Sequence, residues 1–278
     1  MKKLSLKIQE AVHEYREIET DGVTLYPVRV RDYSLFQTAR PAIEALQTSF
    51  PLQYLSMPLL QAYFQMDVME PMVSGTEPTG LYGCALLALA LSLRLLEGEA
   101  PETRIRQFKP VLDKKDPRRL KALRVLLNGE EQVDITPVRF QRWRGIIAAQ
   151  NGVELESDNA DPELVRAERE LRQMSETKLD VNIWQMKSSV AALTGADERE
   201  ISDWPLKKLT DRADAIQRAL EFIVCGVGGA MGGFGKGGNP VPHPFYAKME
   251  RESAHVALGD FAGGAGERAV ANAGQRVT

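Results

Sequence analysis

Leu81–Leu93 reads LYGCALLALALSL, thirteen residues that are apolar on every side of a helix and carry no charge until Arg94. About 20 such residues are needed to cross a bilayer, so the run predicts a helix buried inside protein. A helix of that kind needs helical neighbours, and the chain before it supplies them. Pro51–Ser56, Pro58–Met66 and Thr79–Leu96 read as three helical stretches, apolar on most faces, which should pack together.

Ahead of them, residues 16–31 predict a β-hairpin. Glu17-Ile18-Glu19 and Val23–Val30 flank Asp21-Gly22, a dipeptide suited to the positive φ angles of a tight turn, and Pro27 suggests an edge. Asp32 is placed as an N-cap for a helix built on Tyr33, Phe36, Ile43 and Leu46, which Pro41 should kink or restart. Beyond the apolar run, Ile105, Phe108 and Val111, then Leu123, Val125 and Leu127, then Val133 and Ile135 suggest three short strands. Asn128-Gly129 would turn between the last two.

Helices then return. Thr136-Pro137 is an N-cap with proline at the first helical position, Val138, Phe140, Trp143, Ile146 and Ile147 form an apolar stripe, and Gly152 closes it. Asp161-Pro162 starts a charged helix to about Glu176. Asp180 starts another, with Ile183, Trp184, Met186, Val190 and Leu193 inward and Gly195 at its end. The last long helix is expected from about Pro205 to Val224. After it come GVGGAMGGFGKGGN (226–239), three prolines and a small, polar remainder to Thr278, which read as a flexible tail. The fold class is therefore mainly α with an α+β element: a helical bundle with an N-terminal β-hairpin, a small inserted antiparallel sheet and a Gly/Pro-rich tail. Its segments are 1–100 (hairpin and apolar helices), 101–136 (β insertion), 137–225 (helical region) and 226–278 (tail).

Of the 278 residues 44% are apolar and 26% charged, with a net charge of -3, ordinary values that point to a globular chain and to neither nucleic acid nor an anionic membrane. Cys84 and Cys225 are far apart in apolar runs, as expected of reduced thiols in a cytoplasm. Met1-Lys2-Lys3 has no apolar stretch behind it, so no signal peptide is expected.

Catalytic signatures do not emerge. Gly235-Lys236 resembles a phosphate loop, but Ala230 stands where its first glycine should be and Gly237 where Ser or Thr should be. His13, His243 and His255 lack partners at zinc-ligand spacing. No Gly-x-Ser-x-Gly or Cys-x-x-Cys occurs, and Glu168 and Glu170 sit in a charged stretch that reads as a solvated face. No enzyme, cofactor or metal is expected. Charge is divided along the chain, however. Arg104–Arg144 holds twelve Lys/Arg against five Asp/Glu, whereas Asn151–Asp203 holds six against thirteen. Pairing within or between copies is the first reading, solvated faces the second, and nucleic acid the third, since few aromatics are present to stack on bases.

Several stretches in order resemble a family of phage tail-morphogenesis proteins, the tail assembly chaperones. They are Val23–Tyr33 (VTLYPVRVRDY), Phe140–Asn151 (FQRWRGIIAAQN), Val190–Gly195 (VAALTG) with Ile201–Pro205 (ISDWP), and Gly237–Tyr246 (GGNPVPHPFY). The resemblance spans roughly residues 20–246 and rests on hydrophobic patterns without a catalytic signature. It implies a non-enzymatic protein of the host-cell cytoplasm that coats the tape-measure protein, whose exposed heptad faces would otherwise aggregate, and that helps recruit tail tube subunits. Self-association stays open, and no membrane is implied. On this expectation Tyr54, Leu55, Met57, Leu60, Tyr63, Phe64 and Met66, a Met- and aromatic-rich stretch, are the candidate partner-binding residues, with a role in the core as the alternative. The competing functional readings are a structural tail or adaptor protein retained in the virion and a nucleic-acid-binding accessory protein.

Overall fold

The computed structural model describes residues 4–127, 131–155 and 182–230. In chain order the first elements are α1 (Leu6–His13), β1 (Ile18–Thr20), β2 (Val23–Leu25), α2 (Tyr33–Glu44), α3 (Leu59–Phe64), α4 (Glu70–Ser74), α5 (Leu81–Ser92) and α6 (Pro101–Ile105). Then come β3 (Lys109–Leu112), β4 (Leu120–Leu127), β5 (Glu131–Ile135), α7 (Pro137–Gln150), α8 (Ile183–Thr194), α9 (Glu198–Asp203) and α10 (Leu206–Ala230). The architecture is mainly α with two small antiparallel sheets, as expected. The described residues divide into two units, one up to Asp214 and one from Ala215. Among the described residues no helix is long and apolar enough to cross a membrane.

The apolar run of 81–93 is the centre of the first unit. Every residue of α5 from Ala85 to Ser92 is buried, and the helix packs along α2 and against α3 and α6. Its first turn needs an acceptor for the free N–H groups, and Gly80 ahead of it has no side chain to offer. Asp67 supplies one from a π-helical turn (Gln65–Met69) that joins α3 to α4. One carboxylate oxygen accepts from the Thr79 N–H and hydroxyl, both at 2.7 Å, and the other from the Tyr82 N–H at 2.6 Å. At the other end Arg94 occupies the left-handed region (φ 52°), where glycine is usual, and the Leu95 N–H returns to the Ala90 carbonyl at 2.9 Å. The Arg94 guanidinium stacks on Tyr26 at 4.1 Å and pairs with Glu97 at 3.5 Å, which offsets the backbone cost.

The hairpin forms with the expected turn. Asp21 and Gly22 both have positive φ, and Ile18, Glu19 and Thr20 face Leu25, Thr24 and Val23. Its second strand is shorter than Val23–Val30, because Val28 and Val30 leave the hairpin to bond elsewhere. Asp32 precedes α2 without capping it through its side chain, and Pro41 is accommodated in the last turns of that helix.

In the inserted sheet β4 is central, and Leu123, Val125, Val133 and Ile135 are buried as the alternation requires. Ile105, however, is helical and the first strand begins only at Lys109. The spacing of Ile105, Phe108 and Val111 is three, which suits a helix, and Pro101 with Glu102 starts α6. Asn128-Gly129 lies outside the described residues.

Thr136 caps α7 by accepting from the Arg139 N–H at 3.2 Å, and Gly152 (φ 70°) ends it. Val138 is 68% exposed, against expectation, because it lies in the first turn, two residues after the cap, and off the Phe140–Trp143–Ile147 face. In α8, Ile183 and Val190 are buried and Gly195 terminates the helix, but Trp184 and Leu193 are exposed. Asn182 caps α8, accepting from the Trp184 N–H at 2.9 Å. Asp180 and the charged segment 161–176 lie outside the described residues, as does the chain after Ala230. The helix α10 continues through Gly226–Ala230, past the expected stop at Val224.

Two substitutions around α5 should act in opposite directions. Asp67→Ala removes the acceptor of the first turn and should lower stability by about 1 kcal/mol. Among the described residues the buried Ser92 Oγ has no hydrogen-bond partner, so Ser92→Ala should leave stability unchanged or raise it by about 1 kcal/mol. Denaturant unfolding of both variants measures this, and a destabilised Ser92→Ala would mean that the hydroxyl is satisfied.

Candidate interaction surface

Three stretches, Val23–Tyr33, Phe140–Asn151 and Ile201–Pro205, meet in space, whereas Gly237–Tyr246 lies outside the described residues. Val28 lies at their junction. Its N–H donates to Asn151 Oδ1 at 2.8 Å, and its carbonyl accepts from the Leu206 N–H at 2.8 Å. The Val30 N–H donates to the Trp204 carbonyl at 3.0 Å, and Arg29 and Pro205 form an isolated antiparallel bridge. Gln150 Nε2 reaches the carbonyls of Leu25 (3.1 Å) and Arg16 (3.3 Å), and Trp143 Nε1 donates to Asp21 at 3.1 Å. Buried Arg144 donates to the carbonyls of Ile43 (2.6 Å) and Ala45 (2.7 Å). The polar residues of Phe140–Asn151 therefore hold the hairpin and the end of α2 in place. A surface network joins Arg31 to Asp203 (2.8 Å) and Glu97 (3.0 Å), and Arg29 to Glu97 (3.2 Å). Exposed pairs of this kind add little stability. Their geometry is that of a scaffold.

The candidate binding residues behave mostly as core. Tyr54, Leu60, Tyr63, Phe64 and Met66 are buried, Met57 is half-buried, and Leu55 is exposed. Tyr63 sits edge-on to Phe50 and Phe140, with ring centroids 5.9 and 6.3 Å away, and its hydroxyl donates to the Ala42 carbonyl at 2.8 Å. Phe64 meets Tyr82 in the same way at 5.5 Å. An α5 that is apolar on all sides requires facing apolar residues, and α3 provides them, so the composition of 54–66 reflects burial.

Exposed apolar side chains lie at the start of that segment and on either side of it, and of these only Leu55 was among the candidates. Leu52 is 88%, Met72 77%, Val73 70% and Leu55 38% exposed. Gln53 Nε2 donates to Glu70 Oε1 at 2.8 Å and the Tyr54 hydroxyl bonds the same oxygen, which ties the 52–55 turn to the start of α4. Leu52 and Leu55 lie on the turn at this junction, and Met72 and Val73 lie on α4, which begins at it. The signal was available in the sequence: both groups adjoin prolines and polar residues, outside the continuous apolar run.

Cys84, half-buried in α5, has its thiol pushed up by burial and by the nearby Asp67 carboxylate, the opposite of an activated nucleophile. Burial likewise raises the Tyr82 phenol. Comparisons with family models, curated proteins and solved structures gave no match.

The division into core and edge has a direct consequence. Leu60→Asp should abolish cooperative unfolding, whereas Leu52→Asp and Met72→Asp should change stability by no more than about 0.5 kcal/mol. Circular dichroism melts distinguish them, and a folded Leu60→Asp variant would refute the placement of α3.

Proposed function

We propose that this chain is a non-enzymatic binding protein acting as a phage tail assembly chaperone in the host-cell cytoplasm, where it shields apolar helical faces of the tape-measure protein and helps recruit tail tube subunits. Two observations support the reading: the ordered resemblance of residues 20–246, and the exposed apolar edge formed by Leu52, Leu55, Met72 and Val73. The edge carries most of the weight. Monomeric proteins rarely leave several large apolar side chains together on an ordered segment unless something docks there. An amphipathic helix, presenting apolar residues every three or four positions, suits such an edge. Recruitment of tube subunits would fall to the segment after residue 226, in keeping with the division of labour that the family resemblance implies.

Co-expression with the tape-measure protein of the same genome is the test. The wild-type chain should bring that protein into the soluble fraction and co-purify with it. A folded Leu52→Asp/Met72→Asp/Val73→Asp variant should lose at least about tenfold of the recovered complex. An unchanged yield with the variant would remove the edge from the interface. Failure of the wild type to solubilise or retain the tape-measure protein would remove the chaperone reading itself, and finding the chain in purified virions would replace it with a structural tail component.

A further inference from the structure

The loop between β3 and β4 (113–119, DKKDPRR) is built to hold cations still. Asp113 Oδ1 accepts from the Lys115 N–H at 2.9 Å, and Asp116 Oδ1 accepts from the Arg118 N–H at 3.0 Å. The backbone closes on itself: the Asp113 N–H donates to the Arg119 carbonyl and the Arg119 N–H to the Asp116 carbonyl, both at 2.9 Å. The helical body then grips the loop. Buried Gln61 accepts from the Leu120 N–H at 2.7 Å through Oε1 and donates through Nε2 to the Arg118 carbonyl at 3.3 Å, and Gln65 donates to the same carbonyl. With the backbone and both carboxylates occupied internally, the loop turns outward four exposed cations, Lys114, Lys115, Arg118 and Arg119. No salt bridge to any of the four is found among the described residues. Arg124, by contrast, is matched by Asp134 at 2.8 Å, which lowers the pKa of that carboxyl through their hydrogen bond.

We infer that this tip is a docking surface for an acidic, partly apolar protein segment, separate from the apolar edge and independent of the chaperone reading. A backbone that is already held loses less entropy on binding than a freely moving one, so a gripped loop favours recognition. The neighbouring residues indicate the class of partner. Leu112, the residue next to the loop, is exposed and gives an apolar contact beside the charges, as protein interfaces do. Nucleic acid suits the tip less well. Phe108, the aromatic nearest to it in sequence, is buried and offers no stacking face.

The test is fluorescence anisotropy of the full chain with a labelled peptide of alternating Glu and Leu, and separately with a short labelled DNA duplex. The peptide should bind at low ionic strength and lose affinity as salt is added. The variant Lys114→Glu/Lys115→Glu/Arg118→Glu/Arg119→Glu should weaken it by at least about tenfold with an unchanged melting temperature. The neutral variant with Gln at the same four positions should fall between the two and guards against an effect of reversed charge alone. Three results would overturn the inference: no peptide binding by the wild type, equal binding by the charge-reversed variant, or tip-dependent binding of the duplex tighter than that of the peptide.

Discussion

The structure depends on covering a single helix. The helix α5 has no polar side to give to solvent, so each neighbour must present apolar surface to it, and α2, α3 and α6 do so. Full burial of one Leu contributes about 2 kcal/mol, and α5 places several at once. The constraint spreads outward from there. It commits Leu59, Leu60, Tyr63 and Phe64 to the interior, and it leaves the ends of α5 to be satisfied from elsewhere in the chain. Asp67 serves the first turn and the Arg94–Tyr26 stack steadies the last.

The remaining elements are fastened to this centre by a few buried side-chain amides. Asn151 and Gln150 fix the hairpin, and Gln61 fixes the β3–β4 loop. An unmade buried hydrogen bond costs about 1–3 kcal/mol, more than a made one contributes, so such residues specify position more than they add stability. They also bring together stretches distant in sequence: Val28–Val30, Asn151 and Trp204–Leu206 form one joint. The surfaces left outside this framework, the apolar edge at 52–55 and 72–73 and the cationic tip at 114–119, are the places where the chain has side chains to spare for a partner.

Much of the architecture was legible in the sequence because it was written in strong local signals. Asp21-Gly22, Thr136-Pro137, Gly152 and Gly195 punctuate the chain where they were expected to, and the alternation of Leu123, Val125, Val133 and Ile135 marks the sheet. What failed were judgements of facing. A Met- and aromatic-rich segment reads alike whether it lines a core or a groove, and the burial of Tyr63 or Phe64 follows only once α5 is known to need cover. Trp184, Leu193 and Val138 were expected to face inward yet are exposed, because helical spacing is a loose guide to which side of a helix is covered. The long-range amide clamps had no sequence signal at all: Asn151 and Val28 are 123 residues apart.

Hydrogen–deuterium exchange of the chain, alone and mixed with the tape-measure protein proposed as its partner, tests most directly the proposal that binding uses the edge and spares the core. The account predicts slow exchange throughout 85–92 in both states, and protection gained on binding at 52–55 and 70–74. Protection gained within 59–66 or 85–92, with none at the edge, would mean that the apolar helices open to receive the partner, and would contradict it.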